Sequence, residues 1–124
     1  MGDGSFLIEF FEAEDGTYPA EDFLNTLDDK MAAKVYGLLG LLEEYGNALR
    51  MPYSGHLDDG IFELRARQGS NIVRVLYFFF IDRRVVLTNG FVKKTQKTPT
   101  AEIELAKQRR TIYLARMETE EGKN

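Results

Sequence analysis

Hydrophobic and polar positions along this 124-residue chain fall into segments of clearly different period. Ser5 to Glu12 (SFLIEFFE) is a short apolar and aromatic run closed by Asp15-Gly16-Thr17, the pattern of a first strand and its turn. Pro19 suits the first turn of a helix whose apolar side carries Phe23, Leu24 and Leu27. From Lys30 to Tyr45 the apolar positions Val35, Leu38, Leu39 and Leu42 recur at helical spacing, and Gly46-Asn47 supplies a stop. Two helices joined by a short acidic turn predict a helical hairpin. Residues 47 to 60, with Pro52, Ser54, Gly55, Asp58, Asp59 and Gly60, read as a loop.

Three strand-like runs follow, Ile61–Arg67, Asn71–Ile81 and Arg84–Lys93. The connections Gln68-Gly69-Ser70 and Asp82-Arg83 are short enough for hairpins, so an antiparallel meander is expected. After Thr98-Pro99-Thr100, Ala101 to about Met117 reads as a last helix, with Thr98 or Thr100 as its cap and Ile103 and Ala106 on its inner side. Glu118 to Asn124 reads as a frayed tail. The order β-α-α-β-β-β-α predicts an α+β fold, a helical hairpin packed on a small, mostly antiparallel sheet with a C-terminal helix.

Strand parity sorts the side chains of the meander. Glu63, Arg65 and Arg67 share one face of their strand, and Phe62, Leu64 and Ala66 take the other. In the next strand Arg74 lies with Ile72, Leu76 and Phe78, while Val73, Val75, Tyr77 and Phe79 oppose it. That strand is apolar on both faces, as a covered central strand should be. A guanidinium inside it needs a carboxylate partner, a wet cleft or a ligand, since burying it unpaired costs several kcal/mol. Glu63 and Glu102 are the carboxylates in reach by sequence.

Charge sharpens this. The chain is net acidic at −4, yet Ile61 to Pro99 holds Arg65, Arg67, Arg74, Arg83, Arg84, Lys93, Lys94 and Lys97 against Glu63 and Asp82. Residues 1 to 60 reverse the balance, with thirteen acids from Asp3 to Asp59 against Lys30, Lys34 and Arg50. A basic face on an acidic body recruits polyanions through its local field. Length and composition fit one globular domain. The absence of cysteine excludes a disulfide framework and fits a reducing, cytoplasmic setting. No run approaches the ~18 apolar residues of a membrane span. The opening MGDGSFLIEF has neither the pattern of a secretory signal nor, with Phe6 at the sixth position, that of a myristoylation site. One histidine and no close carboxylate pair in the basic region speak against a metal site, and no cofactor is expected.

The run Gly90-Phe91-Val92-Lys93-Lys94-Thr95-Gln96-Lys97-Thr98-Pro99 leaves a strand and enters a helix, with donors suited to phosphate oxygens. Together with Gly60-Ile61-Phe62-Glu63-Leu64-Arg65 and Val73-Arg74-Val75-Leu76-Tyr77, and with Glu102 and Ala106, it resembles the HigB-like, phage-derived branch of the RelE/ParE toxin superfamily over about Phe6 to Tyr113. The resemblance implies the toxin of a type II toxin–antitoxin module, a ribosome-dependent mRNA endonuclease. Its partners are the ribosome, mRNA and a cognate antitoxin carrying a helix-turn-helix domain. ParE-like relatives of the same fold inhibit DNA gyrase without catalysis, and an inactive partner-binding remnant is a further alternative.

Arg74 matches the family's central-strand arginine. Arg65 and Arg67 occupy the basic positions of the preceding strand, and Lys93 and Lys94 the basic position after the last strand. The catalytic candidates are therefore Arg74, Lys93, Lys94 and Arg67. RNA-binding candidates are Arg65, Phe91, Thr95, Gln96 and Lys97. Cleavage by the 2′-hydroxyl needs a proton acceptor, charge stabilisation at phosphorus and a proton donor for the leaving oxygen. Arg74 suits the phosphate, and a lysine among like charges suits the proton transfers. Parity places Lys93 with Asn89 and Phe91 and turns Lys94 the other way, favouring Lys93. Phe91 is either a stacking platform or core. Glu63 is either a base or the counter-charge of the arginines. His56 is read as an inert loop residue, and Arg83-Arg84 as an exposed turn. The family's C-terminal histidine, present in some members, has no counterpart here.

Overall fold

Period-two alternation through the middle of the chain becomes an antiparallel meander in the computed structural model, which describes residues 5–94 and 96–122, without the side chains of the last two. The elements are β1 (Leu7–Phe10), α1 (Pro19–Leu24), α2 (Asp29–Tyr45), β2 (Ser54–Asp58), β3 (Ile61–Gln68), β4 (Asn71–Phe80), β5 (Arg84–Val92) and α3 (Thr100–Gly122). They build an α+β fold around a five-stranded sheet of order β1-β5-β4-β3-β2. β2 through β5 pair antiparallel, and β1 joins β5 in parallel, Leu7 opposite Arg84.

Helix α2 begins where the Asp28 side chain accepts the Met31 N–H at 2.8 Å, and it ends at Gly46, whose φ of 51° few side chains tolerate. Met31, Val35, Leu39 and Leu42 of α2 pack with Ala20 and Leu24 of α1 against Leu64, Ala66, Val73, Val75 and Tyr77. Each large aliphatic side chain buried this way contributes about 2 kcal/mol. The opposite sheet face is covered by α3, where Ala106 and Tyr113 meet Phe11, Ile61, Leu76, Phe78 and Val86. Along β4 the apolar part of that face ends at Leu76, and the next residue on it is Arg74.

The sequence expectation differs in three places. Residues 54–58 form a strand, not loop, paired to β3 through Ser54↔Leu64 and His56↔Phe62. Its sequence SGHLD has a glycine and a single large apolar residue, so its order comes from the hydrogen bonds β3 offers, not from its own pattern. Helix α3 starts at Thr100 and runs to Gly122, beyond the end expected at Met117. Arg84 is no exposed turn residue. It opens β5, its guanidinium lies 5.9 Å from the Phe80 ring, and Nη1 donates to the Tyr113 hydroxyl at 3.3 Å. The loop between the paired Phe80 and Arg84 is Ile81-Asp82-Arg83, with φ near 60° at Asp82 and Arg83.

Among the described residues no helix is long and apolar enough to cross a membrane.

Candidate nucleic-acid interface

Arg65 and Arg74 stand directly opposite each other on neighbouring strands. Two like charges in that relation repel, so the pair requires a counter-charge on the same face. Glu63 supplies it two residues upstream. Its Oε2 accepts from Arg65 Nε at 2.9 Å and its Oε1 accepts from the Thr98 hydroxyl at 2.5 Å. Arg74 Nε lies 3.3 Å from Glu63 Oε1, within ion-pair range but too poorly aligned for a hydrogen bond. The buried Nε of Arg74 therefore has no hydrogen-bond acceptor among the described residues. Glu63 is 3% and Arg74 8% exposed, so both charges sit at the floor of a cleft, not on its rim. Burial pushes the Arg74 guanidinium below its ordinary pKa, Arg65 and Arg67 add repulsion and Glu63 opposes them. An arginine so placed remains charged near neutral pH.

Lys93 reaches the same cleft because of one extra residue in β5. Tyr77 pairs with Leu87 but Leu76 pairs with Asn89, leaving Thr88 as a β-bulge. The Thr88 hydroxyl donates to Leu76 O at 3.2 Å, and Arg109 Nη1 of α3 donates to Thr88 O at 2.9 Å, so the hydroxyl and the carbonyl of the buried bulge residue both have partners. Beyond the bulge, Asn89 and Phe91 lie on the Arg74 face, and Gly90 turns toward the ring of Phe23 on the hairpin face. The Lys93 N–H donates to Ile72 O at 2.8 Å, which fixes the chain just past the strand. Its ammonium is held below the ordinary lysine pKa, first by partial desolvation and then by repulsion from Arg74.

Three concavities meet at this place, of about 420, 500 and 490 Å³, and Arg74 lines all of them. The first also takes in Glu63, Lys93, Gln96, Lys97 and Thr98. In the second, Arg67, Lys93, Lys94 and Gln96 surround Ser70. Arg65, Arg67, Arg74, Lys93, Gln96 and Lys97 are thus brought together, and Lys94, which parity turns the other way, lines the second concavity beside Lys93. Phe91 is half-buried and packs against the α3-side core. Thr95 lies outside the described residues.

His56 sits in β2, not in a loop. It pairs with Phe62, its ring 5.0 Å from that ring, and Nε2 accepts the Gly60 N–H at 3.1 Å. This is the hairpin face, away from Glu63. Tyr77 is core, its hydroxyl 2.5 Å from that of Ser54.

Sequence reasoning missed three residues around the cleft. Thr98, read as a helix cap, gives its hydroxyl to Glu63. Asn89 ties β5 to the first turn of α3, donating to Glu102 Oε1 at 3.0 Å. Arg109 holds the bulge. Among the described residues no group of three acidic or histidine side chains is placed to hold a metal ion.

The family described as "Phage derived protein Gp49-like" matches residues 22–111, a span that contains every cleft residue named above. No curated protein sequence matches the chain.

Proposed function

Because the chain belongs to the phage-derived Gp49-like family, whose members are compatible with the toxin role in a toxin–antitoxin pair, we propose that it is a HigB-like toxin that cuts mRNA on the ribosome. The observation that carries this reading is the convergence of three concavities on one buried arginine, Arg74. A phosphodiester is the ligand that such a floor fits best. It offers several anionic oxygens to a planar guanidinium, and it continues in both directions as a strand.

In the proposed reaction the 2′-hydroxyl of one nucleotide loses its proton and attacks the adjacent phosphorus. A 2′,3′-cyclic phosphate forms and the P–O5′ bond breaks. Arg74 and Arg65 stabilise the charge that builds on the phosphoryl oxygens. Loss of one such donor costs about 10²–10³ in rate. Lys93, whose ammonium is held below the ordinary lysine pKa by desolvation and by Arg74, is assigned both proton transfers, from the 2′-hydroxyl and to the leaving 5′ oxygen. Glu63 holds Arg65 in place and is the counter-charge of the arginine pair. In this reading the ribosome presents the substrate. A helix-turn-helix antitoxin neutralises the protein.

Transcript-end mapping after induction tests this. New ends within translated reading frames are expected, absent when the start codon is removed, and absent with Arg74→Ala. Arg74→Ala leaves Glu63 bound to Arg65 and Thr98, so the variant stays folded. Arrested cells with intact mRNA would sink the nuclease reading, and inhibited supercoiling in such cells would support gyrase as the target.

A further inference from the structure

The third concavity lies around the free edge of β3. β2 pairs only as far as Ser54↔Leu64, and the Arg65 N–H then donates to Tyr53 O at 2.8 Å. Alternation along the strand points the N–H and C=O of Arg67 the same way, past the end of β2. The cavity there, about 490 Å³, has apolar walls from Leu38, Tyr53 and Ala66 and cations from Lys34, Arg65 and Arg67. No acidic residue lines it among the described residues. It joins the cleft at Arg74. On its helical side is Gly37, in the middle of α2, where an added Cβ would meet nothing within 4 Å. The fold itself therefore does not require a glycine at this point, although glycine is the poorest helix former after proline.

We propose that this cavity is a nucleobase subsite that holds a base next to the scissile phosphate of a single-stranded RNA, an inference that rests on the nuclease reading and extends it. Tyr53 offers an aromatic plane and Arg67 a guanidinium plane on which a base stacks. The Arg67 backbone offers one donor and one acceptor side by side, which suits the edge of a base. Lys34 and Arg65 meet the flanking phosphates. An acidic peptide would satisfy the cations but leave the aromatic plane and the strand edge unused, and its path would not need Arg74. RNA uses all three.

The test uses the intact protein and a non-cleavable probe, 2′-O-methylated triadenylate, followed by amide chemical shifts. Shifts at Gly37, Tyr53 and Arg67 are expected together with shifts near Lys93. Gly37→Leu, which puts a side chain into the cavity without touching the core, is expected to weaken binding about tenfold, the effect of losing one stacked base. The Lys93 shifts should persist at higher probe concentration, and a melt should show the variant folded. Gly37→Ala, which leaves most of the cavity open, should bind nearly as the parent does. The inference is overturned if Gly37→Leu binds as tightly as the parent, or if shifts stay confined to the Lys93 side. It also falls if the probe perturbs nothing at millimolar concentration, or if hexaglutamate perturbs these amides and RNA does not. Transcript mapping separates the two readings. Uncut transcripts with the expected shifts would remove the nuclease reading alone. Identical cut sites and frequencies in Gly37→Leu would remove the subsite alone.

Discussion

Glu63→Gln removes the one carboxylate that separates Arg65 from Arg74, and its cost follows from the geometry. At 3.3 Å, with an effective dielectric of about 20, the Glu63–Arg74 attraction is on the order of 5 kcal/mol before desolvation is subtracted. Breaking a buried pair by deleting one partner typically costs about 3–5 kcal/mol, because a charge is stranded. Here water enters the cleft and the Arg65 side chain is 28% exposed, so about 2–3 kcal/mol is expected. For a chain of this length that lowers Tm by roughly 8–12 °C. Arg74→Met is expected to cost less, about 1 kcal/mol, since Glu63 keeps Arg65 and Thr98. In the double variant the remaining cation no longer faces a second one, so a double-mutant cycle in urea should show coupling of about 1–2 kcal/mol. A Glu63→Gln variant within about 0.5 kcal/mol of the parent, or a cycle that closes additively, would refute the claim that Glu63 neutralises an opposed arginine pair.

Two glycines of α2 and its end should respond in opposite directions. Gly46→Ala sets a Cβ into the Phe6 ring at a positive φ, so Phe6 must leave its place against Phe79, and a loss of about 2–3 kcal/mol is expected by chemical denaturation. Gly40→Ala meets nothing within 4 Å and should gain up to about 1 kcal/mol in the same assay. Arg109→Met leaves the buried Thr88 carbonyl without its donor, costing about 1–3 kcal/mol, and should speed amide exchange selectively from Leu87 to Phe91. The Tyr77 hydroxyl is buried and its pKa raised, chiefly by desolvation. The folded state thus holds this proton more tightly than the unfolded chain, so the contribution is intact below pH 10.0 and is lost as pH rises through the higher folded value. Stability measured against pH should decline above that point, less steeply in Tyr77→Phe.

What the sequence disclosed was whatever depends on local period. Arg74 is conspicuous because it interrupts an apolar run in NIVRVLYFFF, and of the two carboxylates in reach by sequence, Glu63 and Glu102, it is Glu63 that approaches it. What stayed hidden depends on contacts between distant segments. β1 pairs beside β5 by a parallel register that no turn specifies. β2 is ordered by the edge it joins. Thr98 sits in a plausible capping position, yet its hydroxyl goes to a carboxylate 35 residues away. The bulge is the clearest case. Strict alternation from Val85 would carry Leu87, Asn89, Phe91 and Lys93 onto the hairpin face, away from Arg74. One additional residue at Thr88 reverses this, and its stabilising donor, Arg109, comes from another element. Lys93 therefore shares the face of Asn89 and Phe91, as parity within the end of the strand predicts, and the bulge sets which face of the sheet that is.

The same bulge bears on how an acidic protein presents a basic cleft. Glu21, Asp22, Asp29, Glu43 and Glu44 all belong to α1 and α2, which cover one face of the sheet. Arg65, Arg67, Arg74 and, through the bulge, Lys93 belong to the other. The sheet between them is a low-dielectric layer, and exposed charges more than about 8 Å apart are largely screened at physiological salt. The net charge of −4 is therefore a poor guide to the field inside the cleft, which one carboxylate balances only in part. Glu63 makes the cleft stable enough to fold by satisfying Arg65 and approaching Arg74. Arg74, its buried Nε 3.3 Å from Glu63 Oε1, still lines all three concavities at the point where they meet. Under the proposed reading, that is where a phosphate oxygen completes the site.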